Sequence, residues 1–446
     1  MGMEVSGLLM LLLMSGGGND LLDYVQAKAY WQLKGVPVTA AAMTGELAPP
    51  KAEGAKEAAA GPQTAAKAAV VRRLMAIRTL GELKDAQALA VLQPLLKSTA
   101  LFEAEYAQQA IAAIEGKPFA RPRTAAKQMA QDPWLLPADC GIVGQVSMTP
   151  GKPLDLAHVL KEITAGLGGP DADEALPEMT KGIISAAERV GNVRLDGVTL
   201  GVAGTIGDEA GFVVLIARGQ YDAKLLGAVM RETEGAKVET VGGMEVLRAE
   251  DSPGAFILPS ADCLVVVAGA EGEKLPIAAT VAALQKGSGG LTPESALGKL
   301  VKAADAAQPL WAVVKMTDSY RQGGPMLAPF DTMSLVGRPD KDAQALELVA
   351  QGADAPKVAA AVAELEKGLK EMREQVAKAA EQMPMVQPMA DFLGSVKAKA
   401  EGAKVTVTAT LKGMSLLTSM PFFMFGTGFR DRPEHREGPA PKPDDF

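Results

Sequence analysis

The chain has 446 residues, 48% of them hydrophobic and 22% charged, which suits several packed domains and excludes an intrinsically disordered polypeptide. A net charge of −8, with no Lys/Arg cluster denser than Val71-Arg72-Arg73, argues against a nucleic-acid partner, because such binding needs a basic footprint. Two cysteines, Cys140 and Cys263, exclude a disulfide-dense scaffold, and two histidines, His158 and His435, leave little material for general-base or metal chemistry.

At the start, Leu8 to Met14 is an apolar run followed by Ser15-Gly16-Gly17-Gly18, which fits the hydrophobic core and cleavage zone of a secretory signal over residues 1–18. No Lys or Arg precedes the run, and Glu4 stands where positive charge belongs. It is too short to span a bilayer, which takes about 20 residues. Residues 19–63 divide into a small helix around Leu21–Trp31, expected to dock onto a later domain, and an Ala/Pro-rich linker over 45–63.

From Thr64 the pattern becomes helical. Val70, Leu74, Ile77, Leu80 and Leu83 recur at spacings of three and four, and Asp85 offers an N-cap to a second helix carrying Leu89, Val91, Leu92, Leu95 and Leu96. A third helix is expected from Phe102 to Glu115. Ala76-Ile77-x-x-Leu80 aligns with Ala110-Ile111-x-x-Ile114. On these residues the stretch over about 64–116 resembles a HEAT-type helical repeat, which implies a stacking, protein-contacting surface over 64–117.

After the Pro-rich hinge Lys117–Pro122, strands and helices alternate, and three self-similarities recur in the same order. Leu136-Pro137-Ala138-Asp139-Cys140 matches Leu258-Pro259-Ser260-Ala261-Asp262-Cys263. Leu215-Ile216-Ala217-Arg218-Gly219 matches Leu348-Val349-Ala350-Gln351-Gly352. Gly235-Ala236-Lys237-Val238 matches Gly402-Ala403-Lys404-Val405. They indicate a duplicated α+β module over 130–250 and 251–413, with hairpins at 198–217 and 333–349 and helices from Tyr221 and Ala355. Val405, Val407, Ala409 and Leu411 alternate with Thr406, Thr408 and Thr410, the period of a half-buried antiparallel strand. The fold class expected is α+β: a short HEAT-like α-helical segment followed by a duplicated module of antiparallel sheet with helices. As a whole the chain is similar to Ala/Gly-rich exported proteins of planctomycete-type bacteria, a likeness that supplies no activity.

Each candidate for chemistry has a plainer competitor. Cys140 and Cys263 both follow an Asp, which raises a thiol's pKa, and both open apolar runs, so buried structural thiols are expected ahead of a disulfide or a nucleophile. No CxxC or HxxxH spacing prearranges a metal site with His158. Asp171, Asp173 and Glu174 lack the glycine and distal Glu of a calcium loop, and fit helix capping. Gly201-x-x-Gly204-x-x-Gly207 is followed by Asp208 and Glu209, which would repel phosphate. No GxSxG occurs. No catalytic, cofactor-binding or metal residue and no cofactor is therefore expected.

The apolar segment 414–428 offers Met420, Phe422, Phe423 and Phe425 as an interaction surface for a protein or a membrane surface, ahead of a Pro-rich, charged tail over 429–446 that should be disordered. The function expected is a non-enzymatic interaction or structural protein of the bacterial cell envelope. The alternatives are a binder of an apolar small molecule or lipid, and a carboxylate-based hydrolase.

Overall fold

The computed structural model describes residues 20–48, 62–121, 126–148, 172–204, 211–233, 237–248, 254–269, 274–322, 326–340, 343–382 and 387–412. Of the linker expected over 45–63, Gly45 and Glu46 end one helix, Pro62 and Gln63 open the next, and 49–61 lie outside these residues, as do the signal-like stretch 1–18, His158, Asp171, Gly207 and the segments 414–428 and 429–446.

An N-terminal arm opens with a 3-10 turn, Leu21–Tyr24, followed by α1 (Ala27–Lys34) and α2 (Ala40–Glu46). Its apolar side chains are long and fully buried: Leu21, Leu22, Tyr30, Trp31 and Met43. The arm docks on α3 (Pro62–Leu83), where Trp31 Nε1 donates to Thr79 Oγ1 at 2.8 Å. Leu74, Ile77 and Leu80 of α3 are buried as their spacing requires, but the ends of the stripe differ, with Val70 48% and Leu83 39% exposed and Val71 buried instead. The middle of α3 is wrapped by more than one neighbour, so a single stripe under-describes it.

The expected second helix is interrupted. Only α4 (Leu89–Leu92) is α-helical, between 3-10 turns at Ala86–Ala88 and Gln93–Lys97. Pro94 has no N–H to continue an i→i−4 ladder, which accounts for the tightened second turn. Asp85 caps as expected, its Oδ1 accepting from Gln87 N at 2.9 Å. Helix α5 (Glu103–Glu115) then crosses α3 closely. A Cβ on Gly81 would come within 2.7 Å of Ala110 Cα, so this crossing needs glycine.

The remaining helices are α6 (Ala126–Met129), α7 (Ala172–Val190), α8 (Ala223–Thr233), α9 (Ile277–Lys286), α10 (Ala296–Ala303), α11 (Asp318–Gln322), α12 (Ala355–Gln382) and α13 (Gln387–Ser395). The strands are β1 (Ile142–Ser147), β2 (Arg194–Ala203), β3 (Phe212–Gln220), β4 (Lys237–Val241), β5 (Met244–Arg248), β6 (Gly254–Ser260), β7 (Cys263–Gly269), β8 (Leu310–Lys315), β9 (Phe330–Asp340), β10 (Ala343–Gly352), β11 (Lys397–Glu401) and β12 (Lys404–Lys412). Among the described residues these twelve strands form one antiparallel sheet in the order β11-β12-β10-β9-β8-β1-β2-β3-β7-β6-β5-β4. The fold is α+β, with the helical segment preceding the sheet as the sequence indicates.

The strand order reads alike outward from the β1–β8 pair: β1-β2-β3-β7-β6 on one side and β8-β9-β10-β12-β11 on the other. Strands β3 and β10 occupy equivalent places, and they carry the matched segments 215–219 and 348–352. Each hairpin has a register break at that end, between Leu195 and Gly197 in one and between Gln351 and Gly352 in the other. Each is followed by an Asp-capped helix: Asp222 Oδ1 accepts from Leu225 N, and Asp354 Oδ1 from Lys357 N. The other two matches fall on unlike places. Cys140 leads into β1 whereas Cys263 opens β7, and Gly235 precedes the edge strand β4 whereas Gly402 turns β11 into β12. The strand order also groups β6 and β7 with the first half, beyond the boundary near residue 250 that the sequence suggests.

One face of the sheet shares a core with the arm, α3, α5, α7, α8 and α13, in which Val146, Val198, Leu310, Leu346 and Leu411 meet Trp31, Ile77, Tyr106, Ile184 and Phe392. On the opposite face of the first half, α9 and α10 cover Val143, Val214, Val265 and Trp311. In the second half, Val405 and Leu411 of β12 are buried and Thr408 is exposed, while Thr406, Val407, Ala409 and Thr410 are all half-buried, so the period of two shows only at the ends and centre of the strand. The face bearing these threonines also carries the partly exposed pair Arg338–Glu347 at 3.2 Å.

Candidate functional site

The densest group of buried charge lies where the arm, the helical unit, the Pro-rich hinge and β2 meet. Leu21 N donates to Val193 O at 2.9 Å and Leu22 N to Asn192 Oδ1 at 3.3 Å, seating the arm beside the start of β2. Asn192 Nδ2 reaches the Tyr106 hydroxyl of α5 at 3.3 Å. From α3, Arg78 Nη1 donates to the carbonyls of Leu22 and Val25 at 2.7 and 3.1 Å and stands 4.0 Å from Asp23.

Arg121 of the hinge holds Asp23 with two nitrogens and Gln109 with one, and its ring-facing guanidinium lies 5.7 Å from the Tyr106 centroid. Arg194, almost wholly buried in β2, pairs with Glu105 and Gln220 at 2.5 Å and stands 3.5 Å from Asp196. Between the two guanidinium groups sits Asp20, fully buried, 3.6 Å from Arg121 and 3.8 Å from Arg194. Asp20 N donates to Asp23 Oδ2 at 3.1 Å, and among the described residues no hydrogen bond joins the Asp20 carboxylate to either guanidinium. Burial pushes its carboxyl up from 3.8 to about 6; Arg121 and Arg194 oppose the rise, while Asp23 and Glu105 add to it. Burial likewise raises the Tyr106 phenol well above its ordinary range, so it serves as a neutral hydrogen-bonding group.

Two further polar groups are buried on the other face of the sheet. Arg218 of β3 grips Asp132 with Nε and Nη2, and burial raises the Asp132 carboxyl against the pull of Arg218. Gln145 of β1 donates to Met129 O at 2.6 Å and Thr199 Oγ1 at 2.8 Å, and accepts from Trp311 Nε1 at 3.3 Å. Every hydrogen-bonding atom of the Gln145 amide is therefore engaged, the arrangement in which a buried amide specifies register instead of binding a ligand.

Cys140 and Cys263 are free and buried. Burial pushes both thiols up to about 12; Asp139 adds to the rise at Cys140, while at Cys263 Arg218 opposes it. Such thiols stay protonated at neutral pH and are poor nucleophiles. They also lie apart: Cys140 precedes β1, whereas Cys263 is in register with Arg218, which faces Gly197 and hence Ser147 at the far end of β1. A Cβ on Gly201 would come within 2.9 Å of Cys140 Sγ, so this glycine of the weak phosphate-loop pattern provides room for a thiol inside a strand. Asp173 and Glu174 fall in the first turn of α7. Among the described residues no group of three or more His, Cys, Asp or Glu could hold a metal ion, and no helix is long and apolar enough to cross a membrane. Met420, Phe422, Phe423 and Phe425 lie outside the described residues.

Asp20, Glu105, Arg121 and Arg194 were not legible as a group. The one local signal was Arg194 between Val193 and Leu195, a cation inside an apolar run, which marks a charge that must find a buried partner.

No protein-family model matches the chain, and no curated protein matches it. Among solved structures, crystal form III of TP0453 is 10% identical with a TM-score of 0.34, covering 64% of this chain and 96% of that one. Crystal form I of the same protein is 12% identical with a TM-score of 0.33, covering 68% and 98%.

Proposed function

We propose that this chain is a non-enzymatic interaction or structural protein of the bacterial cell envelope. The observation that carries the reading is the shared core: the HEAT-like segment and the arm are packed into the sheet, so one body offers a helical surface and a sheet surface at fixed positions. The polar groups buried within it are engaged in holding layers together, as in a scaffold. The sequence adds a secretory-type start at Leu8–Gly18, and the apolar residues Met420, Phe422, Phe423 and Phe425 as the point of contact with a protein or a membrane surface. The acidic balance favours a protein partner over nucleic acid, and no cofactor is required.

Fractionation of the native host tests this. The expected result is a chain in the envelope fraction, trimmed near Gly18, holding a protein partner that Phe422→Asp with Phe423→Asp releases. Recovery in the cytosol with Met1 intact, and no partner lost on substitution, would contradict the proposal.

A further inference from the structure

Each end of the sheet is a strand with a neighbour on one side. Among the described residues β4 pairs only with β5, and β11 only with β12. Both hairpins turn on two residues, Gly242-Gly243 and Gly402-Ala403, so the flanking pairs Val241–Met244 and Glu401–Lys404 exchange both backbone hydrogen bonds. Alternation from those pairs turns the N–H and C=O of Val238 and Thr240 outward on β4, and those of Ala398 and Ala400 outward on β11. Neither strand carries a proline or a bulge to guard its edge, and Val238 is 45% exposed.

We propose that these two edges bind each other, β4 of one copy pairing with β11 of a second copy so that their sheets become continuous. Strand direction permits it. Neighbours run antiparallel throughout the twelve strands, so the first and last are antiparallel, and a copy displaced along the sheet presents β11 antiparallel to β4. The faces agree as well. Stepping through cross-strand partners from Val238 by way of Leu247 and Phe256, and on to Leu348 and Val407, leads to Ala398, which shares its face with Ala400.

Charge then selects the register. With Val238 opposite Ala400 of the second copy and Thr240 opposite its Ala398, outward backbone groups meet, Lys237 faces Glu401 and Glu239 faces Lys399. All four charged residues are exposed. Glu239 and Lys399 pair within their own chains with Arg248 at 2.8 Å and Glu401 at 2.6 Å, and they bring those partners into one charged row. A slip of two residues sets Lys237 against Lys399 in one direction and Glu239 against Glu401 in the other. Pairing either edge with itself over the same span sets Glu239 against Glu239, or Lys399 against Lys399. The contact is therefore head-to-tail, leaves an unused edge at each end, and propagates as a chain of copies.

Sedimentation velocity on the full chain reads this association. The expected result is a series of species that grows with concentration up to about 1 mM and shrinks as salt is raised. Val238→Pro and Ala400→Pro each remove an outward N–H without touching the hairpin's own ladder. Each alone should stay monomeric. An equimolar mixture should form dimers and nothing larger, because one variant keeps β11 intact and the other keeps β4. Glu239→Lys should weaken association about tenfold, and Lys399→Glu added to the same chain should restore it, a pair that decides if a proline variant does not fold. A chain that stays monomeric up to about 1 mM, self-association surviving in either proline variant alone, or a charge reversal that Lys399→Glu does not rescue would overturn the proposal.

Discussion

Asp132 and Arg218 show how little of a buried ion pair can be read along a chain. They lie 86 residues apart, each in an unremarkable local context, and meet only because β3 aims Arg218 at the 3-10 turn Asp132–Leu135. Asp132→Ala should cost about 3–5 kcal/mol, since it strands a buried guanidinium, whereas Asp132→Leu with Arg218→Met should come close to neutral. Urea unfolding of the three chains measures both. Gln145→Leu leaves the Trp311 indole N–H and Thr199 hydroxyl without their partner, and the same measurement should show a loss of about 1–3 kcal/mol. The thiols were easier to read. An Asp before each and an apolar run after it indicate buried, protonated groups, and both are raised to about 12.

Among the elements, the strands of strict period two were the most legible. Alternation of Val and Thr in β12 sets which side chains meet the core, and pairing with β10 fixes the rest. Helix α4 was read as longer than it is because apolar spacing says nothing about Pro94. The matched glycines carry the clearest local constraint. A Cβ on Gly219 would stand 2.0 Å from the Arg194 carbonyl oxygen, and one on Gly352 would stand 2.2 Å from that of Pro329. Gly219→Ala and Gly352→Ala should each destabilise by about 1–3 kcal/mol, because backbone must shift to admit the methyl. Asp354→Ala removes the cap of α12 and should cost about 1 kcal/mol in thermal unfolding, with Asp222→Ala behaving alike at α8.

At the scale of the molecule, the sequence suggests separable pieces, and the structure joins them. The helical segment is too short to bury its own faces, so α3 and α5 share their core with the arm, α7 and the sheet. That union was invisible in the sequence because the residues making it, Asp20, Glu105, Arg121 and Arg194, converge from four segments. Of the three sequence matches, only the one at the glycine-bearing ends of β3 and β10 falls on equivalent strands. Matches between Cys140 and Cys263 reflect similar local chemistry at unlike places in the sheet.

Unfolding followed by two tryptophans tests most directly whether the helical layer and the sheet are one body. Trp31 lies in the arm against α3, and Trp311 lies in β8 on the opposite face. With Trp134→Phe in both chains, Trp311→Phe leaves Trp31 as the reporter and Trp31→Phe leaves Trp311. Expressed relative to far-ultraviolet circular dichroism on the same chain, each fluorescence transition should coincide with loss of secondary structure in one cooperative step. A Trp31 transition that precedes the loss of sheet structure would show that the helical layer opens by itself, and would contradict the shared core.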